Sequence, residues 1–149
     1  MHNGIHIDQK TEALAIAASA DGIRHACEWL TTALRQCDVP DPKIECLELA
    51  LHEVLANVLD HGGSTARAEP IHINVEVHQK ACEARIKVRD AGIAFDPTAA
   101  PEHIPAKTLA EAQPGGLGLT MIRRCSDSMS YRREGGRNHL MFGARWPKP

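Results

Sequence analysis

The feature that most constrains the fold is a pair of strictly alternating segments near the middle of the chain. Residues 71–78 place isoleucine or valine at every second position, with His, Asn and Glu between them. Residues 82–89 alternate Cys, Ala, Ile and Val with charged side chains. A period of two is typical of a strand that buries one face only. The short connection at residues 79–81 therefore predicts an antiparallel hairpin with one hydrated face.

The phase of the second segment singles out Asp90. This residue follows Ile86 and Val88 at the same spacing, so the next residue on the buried side is a carboxylate. A buried charge costs several kcal/mol unless a partner pairs with it. Asp90 is therefore a candidate for binding a ligand or a partner side chain.

Two helices are predicted ahead of this hairpin. Apolar residues recur at helical spacing over residues 21–37, and Pro40 ends the segment. A second helix is expected to begin with Asp41 as the capping carboxylate and Pro42 at the first helical position. It is expected to run to about His61, where two glycines supply the stop.

A polar group stands out on the second helix. At about 100° per residue, Glu53, Asn57 and Asp60 cluster on a different face from the core residues. Glu53 and Asn57 are four residues apart and therefore lie one turn apart, where their side chains can converge on one ligand. The core face of this helix consists of Leu47, Leu51, Val54 and Val58.

A long connection follows the first hairpin. Residues 98–113 contain Pro101 and Pro105 and show little periodicity. This length is unusual for a structureless link inside a compact domain, which favours a functional lid. A glycine-rich segment at residues 115–119 then leads into a short apolar helix, and a second hairpin turns at residues 135–136.

The order of these elements predicts the fold class. Leu14 and Ile16 alternate with alanine and indicate an edge or outer strand, with a further extended piece at Ile5 and Ile7. Tight turns join neighbouring strands, which disfavours a doubly wound parallel sheet. The expected fold is α+β: a two-layer sandwich with a mixed, mostly antiparallel sheet and the helices on one face.

Composition limits the classes of function. With 149 residues and 43% hydrophobic residues, the chain is sized for one domain, residues 1–149. Its 17 basic and 19 acidic residues give a net charge of −2, which argues against nucleic acid or an anionic membrane as the partner. Five cysteines without a Cys-x-x-Cys pair argue against disulfides and zinc, and favour a reducing cytoplasm. No apolar run approaches the roughly 20 residues of a membrane helix.

Three separated segments share one interpretation. They are residues 53–57 with His61, residues 90–96, and residues 115–119. Together they resemble the N, G1 and G2 boxes of the Bergerat ATP-binding fold, which gyrase, the Hsp90 chaperone, histidine kinases and mismatch-repair ATPases share. Within this GHKL superfamily they are most similar to the anti-sigma-factor serine kinases, which are small single domains. The resemblance extends over about residues 44–146.

The resemblance implies that Asp90 recognises adenine. A carboxylate accepts hydrogen bonds and the exocyclic amine of a purine donates them, so the pair offsets the desolvation of both groups. Gly92 would let the backbone approach the base, and Phe95 with Asp96 extends this box in the manner of the serine kinases. Many relatives carry a threonine where this chain has Asn138, whose amide is expected to replace the hydroxyl. Without the resemblance, Asp90 would be read as a residue that caps a turn.

The third segment is implied to hold the phosphates of ATP. Its glycines precede a helix, so free amide groups and the positive helix end can hold phosphate oxygens. Residues 98–113 would order over them as the lid. The residues implied in this binding are Gly115, Gly116, Leu117, Gly118 and Leu119.

The second helix is implied to supply a metal ligand and a base. Asn57 offers an amide oxygen to a Mg²⁺ ion that bridges the phosphates. Glu53 is placed to accept a proton from an incoming hydroxyl group. His61 matches the family pattern at the helix end. Without the resemblance, Glu53 and Asn57 would be read as a solvated helix face, and His61 as a cation that favours the negative end of the helix dipole.

The implied activity is a Mg²⁺-ATP-dependent serine/threonine kinase. The family implies a small antagonist protein as substrate, a sigma factor or similar regulator as second partner, and a homodimer. Two alternatives stay open: a nucleotide-binding docking module with little or no transfer, and a detached histidine-kinase catalytic domain. Only some fifty residues precede the first box, which is short for the dimerisation segment of a histidine kinase.

Overall fold

The computed structural model describes residues 8–99 and 116–149. The expectations for Ile5, Ile7 and Gly115, and for the lid beyond residue 99, lie outside these ranges. In chain order the elements are β1 (Gln9–Ile16), α1 (Ala20–Gln36), α2 (Asp41–His61), α3 (Gly63–Ala68), β2 (Ile71–His78), β3 (Glu83–Asp90), α4 (Gly116–Arg124), β4 (Ser128–Glu134) and β5 (Arg137–Arg145).

The strands form one five-stranded sheet in the order β1-β2-β3-β5-β4. Every pairing in it is antiparallel, and β1 is an edge strand as its short alternating pattern predicted. The helices cover one face, since alternate strand residues are buried against them while the residues between are largely exposed. The predicted α+β two-layer fold is confirmed.

The core lies between α1, α2 and the covered face of the sheet. Burying each large apolar side chain stabilises the fold by about 1.5–3 kcal/mol, so this layer contact dominates the packing. The predicted hairpin of β2 and β3 forms with His72 opposite Arg89. The largest fully buried side chains include Leu30, Leu47, Leu51, Leu55, Ile73, Ile86, Ile122 and Phe142.

The start of α2 differs from the expectation. Asp41 is already the first helical residue, and Pro40 is the capping residue without a side-chain hydrogen bond. The Pro40 carbonyl accepts the first helical hydrogen bonds, from Lys43 N at 2.9 Å and Ile44 N at 3.1 Å. The prediction that Asp41 caps the helix was therefore wrong, although a carboxylate in the first turn still favours the positive helix end.

A short helix, α3, follows α2 where sequence patterns indicated only a stop. Gly62 ends α2 as predicted, and Gly63 has a φ of +73°, which redirects the chain. Only a glycine adopts this backbone conformation without strain. The chain then makes one further helical turn and a half before it enters β2.

The expectation of unpaired cysteines was wrong. Cys46 on α2 forms a disulfide with Cys125, which directly follows α4. The two residues are 79 positions apart, and only the packing of α4 on α2 brings their Cα atoms to 5.1 Å. Cys27 is free and buried, and burial, with the nearby Glu48 and Glu28 carboxylates, raises its pKa to about 11. The Cys27 thiol is therefore protonated and unreactive at neutral pH.

Within residues 8–99 and 116–149, no helix combines the length and the apolar character that crossing a bilayer requires.

Reducing the Cys46–Cys125 bond is expected to lower the free energy of unfolding by about 2–4 kcal/mol, because the bond closes a long loop in the unfolded chain. Urea denaturation with and without a dithiol reductant measures this difference. The Cys125→Ser variant is the control and should be as unstable as the reduced protein and insensitive to reductant. Equal midpoints for oxidised and reduced protein would contradict the assignment.

Candidate functional site

A cleft opens between α2, α4 and the ends of β3 and β5. It encloses about 450 Å³, including its mouth, and combines an apolar floor with a few polar groups. Such a combination is typical of a small-molecule site. The apolar floor consists of Val54, Val58, Val88, Ile122 and Leu140, and the polar groups belong to Asn57, His61, Asp90, Tyr131 and Asn138.

Asp90 is the most buried charge of the cleft, with 5% exposure. Its Oδ1 atom accepts hydrogen bonds from the Gly92 N–H at 2.8 Å and from Asn138 Nδ2 at 3.1 Å. No described residue donates a hydrogen bond to Oδ2. One carboxylate oxygen is thus held by the protein, and the other can accept from a donor placed in the cleft.

Asn138 makes hydrogen bonds to most of the polar groups around Asp90 and is the hub of this polar network. Like Asp90, it is 5% exposed. Its Nδ2 donates to the Ile93 carbonyl at 2.9 Å as well as to Asp90. Its Oδ1 accepts from the Tyr131 hydroxyl and from Arg133 Nη1, the latter at 3.1 Å. The amide is therefore fully used by the protein, and Asn138 acts by holding Asp90 and the following loop in place.

Two residues of this network escaped the sequence analysis as site residues. Arg133 donates from Nη1 to the Gly92 carbonyl at 2.7 Å, and Tyr131 closes the network from the same strand. The sequence did contain a pattern that could have identified them. Tyr131 and Arg133 lie two and four residues after Met129, which packs against the core. Alternation along the strand places these three side chains on the covered face of the sheet. Only the register of β4 against β5, in which Arg133 pairs with Asn138, shows that Tyr131 and Arg133 contact Asn138.

Gly92 fits the site for a steric reason. A Cβ atom on it would lie 2.9 Å from the Gly62 Cα and 2.8 Å from Asp90 Oδ1. The adjacent Ile93 N–H donates to the Gly62 carbonyl at 3.0 Å. The absence of a side chain therefore lets the loop after β3 contact the end of α2 directly.

The polar residues of α2 do not all line the cleft. Asn57 lines the cleft with 9% exposure, and its amide makes no hydrogen bond within the described ranges. The Glu53 side chain is 29% exposed one turn earlier, with His52 Nδ1 at 4.0 Å, and it stands outside the cleft lining. Asp60 is exposed. Asn57 therefore faces the cleft, whereas Glu53 lies beyond its edge.

The mouth of the cleft is aromatic. The rings of His61 and Phe95 stack with centroids 5.9 Å apart and planes 25° from parallel. Phe95 is 37% exposed, and its N–H donates to Asn138 Oδ1 at 3.4 Å. The structure thus brings together six predicted site residues, namely Asn57, His61, Asp90, Gly92, Phe95 and Asn138.

Helix α4 closes the cleft from the opposite side. Ile122 is fully buried in the lining, and Leu119 packs half-buried against the core. Gly116, Leu117 and Gly118 form the first turn of α4, so the predicted glycine segment does lead into a helix. Arg123, in the last turn of α4, is half-buried and donates to the Pro97 carbonyl at 3.2 Å. This bond joins α4 to the loop after β3.

In the described part of the chain, no group of three or more His, Cys, Asp or Glu residues is arranged to hold a metal ion. A cation at this cleft would therefore draw most of its ligands from a bound molecule and from water, as Mg²⁺ commonly does. The Asn57 amide, which has no partner among the described residues, fits such a cation as a ligand from the protein.

Replacing Asn138 with alanine is expected to lower the free energy of unfolding by about 1–3 kcal/mol, because it leaves several buried groups without partners. Tyr131→Phe removes a single hydrogen bond of the same network and should cost only about 0.5–1.5 kcal/mol. Urea denaturation of both variants measures the difference. Equal costs would show that Asn138 is not the hub.

Comparisons with known proteins agree with this architecture. Residues 16–143 match the histidine kinase-like ATPase domain family. The serine/threonine-protein kinase BtrW of Bordetella bronchiseptica is 33% identical over 136 residues, which cover 90% of this chain and 93% of that protein.

Solved structures show the same fold at low sequence identity. The RsbU and RsbW domains of a Mycobacterium tuberculosis protein align with a TM-score of 0.66 and 15% identity, covering 91% of this chain and 32% of that one. This chain thus spans about a third of that longer protein. The SiaB–SiaC complex from Pseudomonas aeruginosa aligns with a TM-score of 0.57 and 14% identity, covering 89% and 88%.

Proposed function

The chain belongs to the histidine kinase-like ATPase domain family, and from this premise we propose that it is a serine/threonine-protein kinase. It transfers the γ-phosphoryl group of Mg²⁺-ATP to a small antagonist protein and binds a sigma factor or similar regulator in alternation. One observation carries the proposal. Among the residues that the structure describes, a buried carboxylate with one oxygen left for a donor shares a cleft with an amide, Asn57, that faces the cleft and has no hydrogen-bond partner.

Asp90 recognises the adenine ring. Its Oδ2 accepts a hydrogen bond from the exocyclic amine, while Asn138 and the Gly92 amide hold Oδ1. Because the carboxylate is oriented before the nucleotide arrives, little ordering is left to be lost on binding. Val54, Val58 and Ile122 provide the apolar surface against which a purine packs.

Asn57 is the protein ligand of Mg²⁺. Its amide oxygen is the type of hard donor that this ion accepts, and it faces the cleft. When bound, Mg²⁺ neutralises charge on the phosphates during transfer. The backbone amides of Gly116, Leu117, Gly118 and Leu119 in the first turn of α4 hold the phosphate oxygens, together with Gly115, which precedes them in the sequence. Residues 98–113 act as the lid.

Glu53 is the general base. It lies one helical turn from Asn57, and its 29% exposure leaves the carboxylate accessible to a hydroxyl group of another protein. Its position outside the cleft lining suits a residue that meets the protein substrate rather than the nucleotide. It accepts the proton of the attacking serine or threonine.

The partners follow from the same proposal. BtrW is named a serine/threonine-protein kinase, and the SiaB structure is a complex with a second protein. We extend this to an antagonist substrate, a second regulator and a homodimer for this chain. Co-purification from the native host followed by mass spectrometry identifies the two partners.

Asp90→Asn is expected to weaken ATP binding by about a hundredfold or more, because the amide sets a donor against the donor of adenine. Isothermal titration with Mg²⁺-ATP measures the affinity. Asp60→Asn is the matched control on the exposed face of α2 and should bind as the parent does. Unchanged affinity of Asp90→Asn would remove the adenine assignment.

Glu53→Ala is expected to slow phosphoryl transfer by roughly 10²- to 10⁴-fold, the usual effect of losing a positioned base, while ATP still binds. Transfer of labelled phosphate to the co-purified antagonist gives the rate. Glu45→Ala, on an exposed turn of the same helix, is the control.

The same assay separates the alternatives. Acid-stable phosphoserine or phosphothreonine on the antagonist supports the kinase. Acid-labile phosphohistidine would indicate a histidine-kinase catalytic domain. ATP binding without transfer by the parent protein would indicate a docking module.

A further inference from the structure

The Arg133 side chain reaches from the edge strand β4 across β5 to the loop after β3. A single nitrogen, Nη1, donates to the Gly92 carbonyl at 2.7 Å and to Asn138 Oδ1 at 3.1 Å. Arg133 lies directly opposite Asn138 in the pairing of β4 with β5, whereas Gly92 is 41 positions away in the chain. One guanidinium group therefore joins the loop after β3 to β5.

The two residues that Arg133 holds are the two that hold Asp90. Oδ1 of Asp90 accepts from the Gly92 N–H at 2.8 Å and from Asn138 Nδ2 at 3.1 Å. Within residues 8–99 and 116–149, these are the hydrogen bonds that the carboxylate receives. Arg133 binds the other end of each group, namely the carbonyl of Gly92 and the side-chain oxygen of Asn138. Both supports of the carboxylate therefore depend on one side chain.

The orientation of the Asn138 amide is fixed by groups that cannot exchange roles. Next to its oxygen, the guanidinium of Arg133 and the Phe95 N–H only donate. Next to its nitrogen, the Ile93 carbonyl and the ionised Asp90 carboxylate only accept. A rotated amide would set oxygen against oxygen and N–H against N–H. The Asn138 nitrogen therefore stays directed at Asp90 Oδ1.

Tyr131 contributes less to this arrangement than Arg133 does. Its hydroxyl group bonds to Asn138 Oδ1, and no described hydrogen bond joins it to Gly92. A hydroxyl group both donates and accepts, so it would bind either orientation of the amide. Arg133 is thus the side chain that supports the carboxylate from both sides.

We propose that Arg133 is a positioning residue that sets the preference of the cleft for 6-amino over 6-oxo purine nucleotides. This inference rests on the proposed role of Asp90 in binding adenine. With Oδ1 held from two sides, Oδ2 keeps a fixed direction and accepts from the 6-amino group of ATP. Inosine triphosphate (ITP) presents an acceptor at the same position, which leaves an oxygen facing the carboxylate. A site built to hydrogen-bond one group rejects the analogue that lacks it.

Removing the Arg133 guanidinium weakens both supports at once. Within the described ranges, the Gly92 carbonyl then keeps only a long contact, from Asn138 Nδ2 at 3.5 Å. The Asp90 carboxylate turns more freely, so it binds a 6-amino group less well and opposes a 6-oxo group less strongly. The apolar surface against which a purine packs stays in place, because Arg133 is not part of the cleft lining.

The test is isothermal titration of the full chain with Mg²⁺-ATP and with Mg²⁺-ITP. The parent is expected to bind ATP about a hundredfold more tightly than ITP. In Arg133→Met, the affinity for ATP should fall about tenfold and that for ITP less than about twofold, so the preference falls to about tenfold. Arg133→Gln keeps a polar side chain at this exposed position and should lower the preference in the same way. Cooperative urea denaturation shows that both variants are folded.

Arg132→Met is the matched control. It removes the same charge from the neighbouring position of β4, whose side chain points to the opposite face of the sheet. Arg132 pairs there with Glu134 at 3.4 Å, and both side chains are about two-thirds exposed. Both affinities of this variant should equal those of the parent.

The outcomes separate this inference from the proposed function. Equal weakening of ATP and ITP binding in folded Arg133 variants would mean a structural role only and would overturn the inference. An unchanged preference for ATP would overturn it as well, and in both cases the nucleotide site itself would stand. A parent that binds neither nucleotide would overturn the proposed function and this inference with it.

Discussion

The hydrogen-bonded pair of Asp90 and Asn138 is the interaction on which the site depends. Burying a carboxylate costs several kcal/mol unless hydrogen bonds compensate it, and hydrogen bonds to charged groups contribute about 1.5–3 kcal/mol each. Asn138 satisfies Asp90 and at the same time binds the loop after β3, while Arg133 binds both Asn138 and that loop. One amide thus joins two strands and a loop around a carboxylate that keeps one oxygen for the cleft.

Helix α2 connects this polar centre to the rest of the core. Its buried side packs on α1 and the sheet through residues such as Leu51 and Leu55, and its end contacts the loop through Gly62. Its remaining side carries Asn57 into the cleft and Cys46 into the disulfide with Cys125. A single helix therefore sets the distance between the cleft wall and α4, and the disulfide fixes it covalently.

The sheet separates two chemistries by alternation alone. Toward the helices it presents an apolar surface interrupted by Asp90 and Asn138, and toward the outside it presents polar and charged side chains such as Lys87 and Arg89. Since consecutive residues point to opposite faces, a one-residue change of register would exchange the two surfaces. The tight antiparallel turn at Gly135 and Gly136, both with positive φ, helps to fix that register.

Local periodicity by itself determined most of the elements, although not α3, and the buried or exposed face of most strand residues. It located the β2–β3 hairpin, the buried position of Asp90 and the Glu53–Asn57 pair on α2, because a period of two or 3.6 is written in neighbouring residues. Only the tertiary structure decided which faces meet. The Cys46–Cys125 bond, the reach of Arg133 to the Gly92 carbonyl and the fit of Gly92 on Gly62 all join residues distant in the chain. Such contacts depend on how whole helices and strands pack against one another, and no pattern among neighbouring residues encodes which distant residues meet.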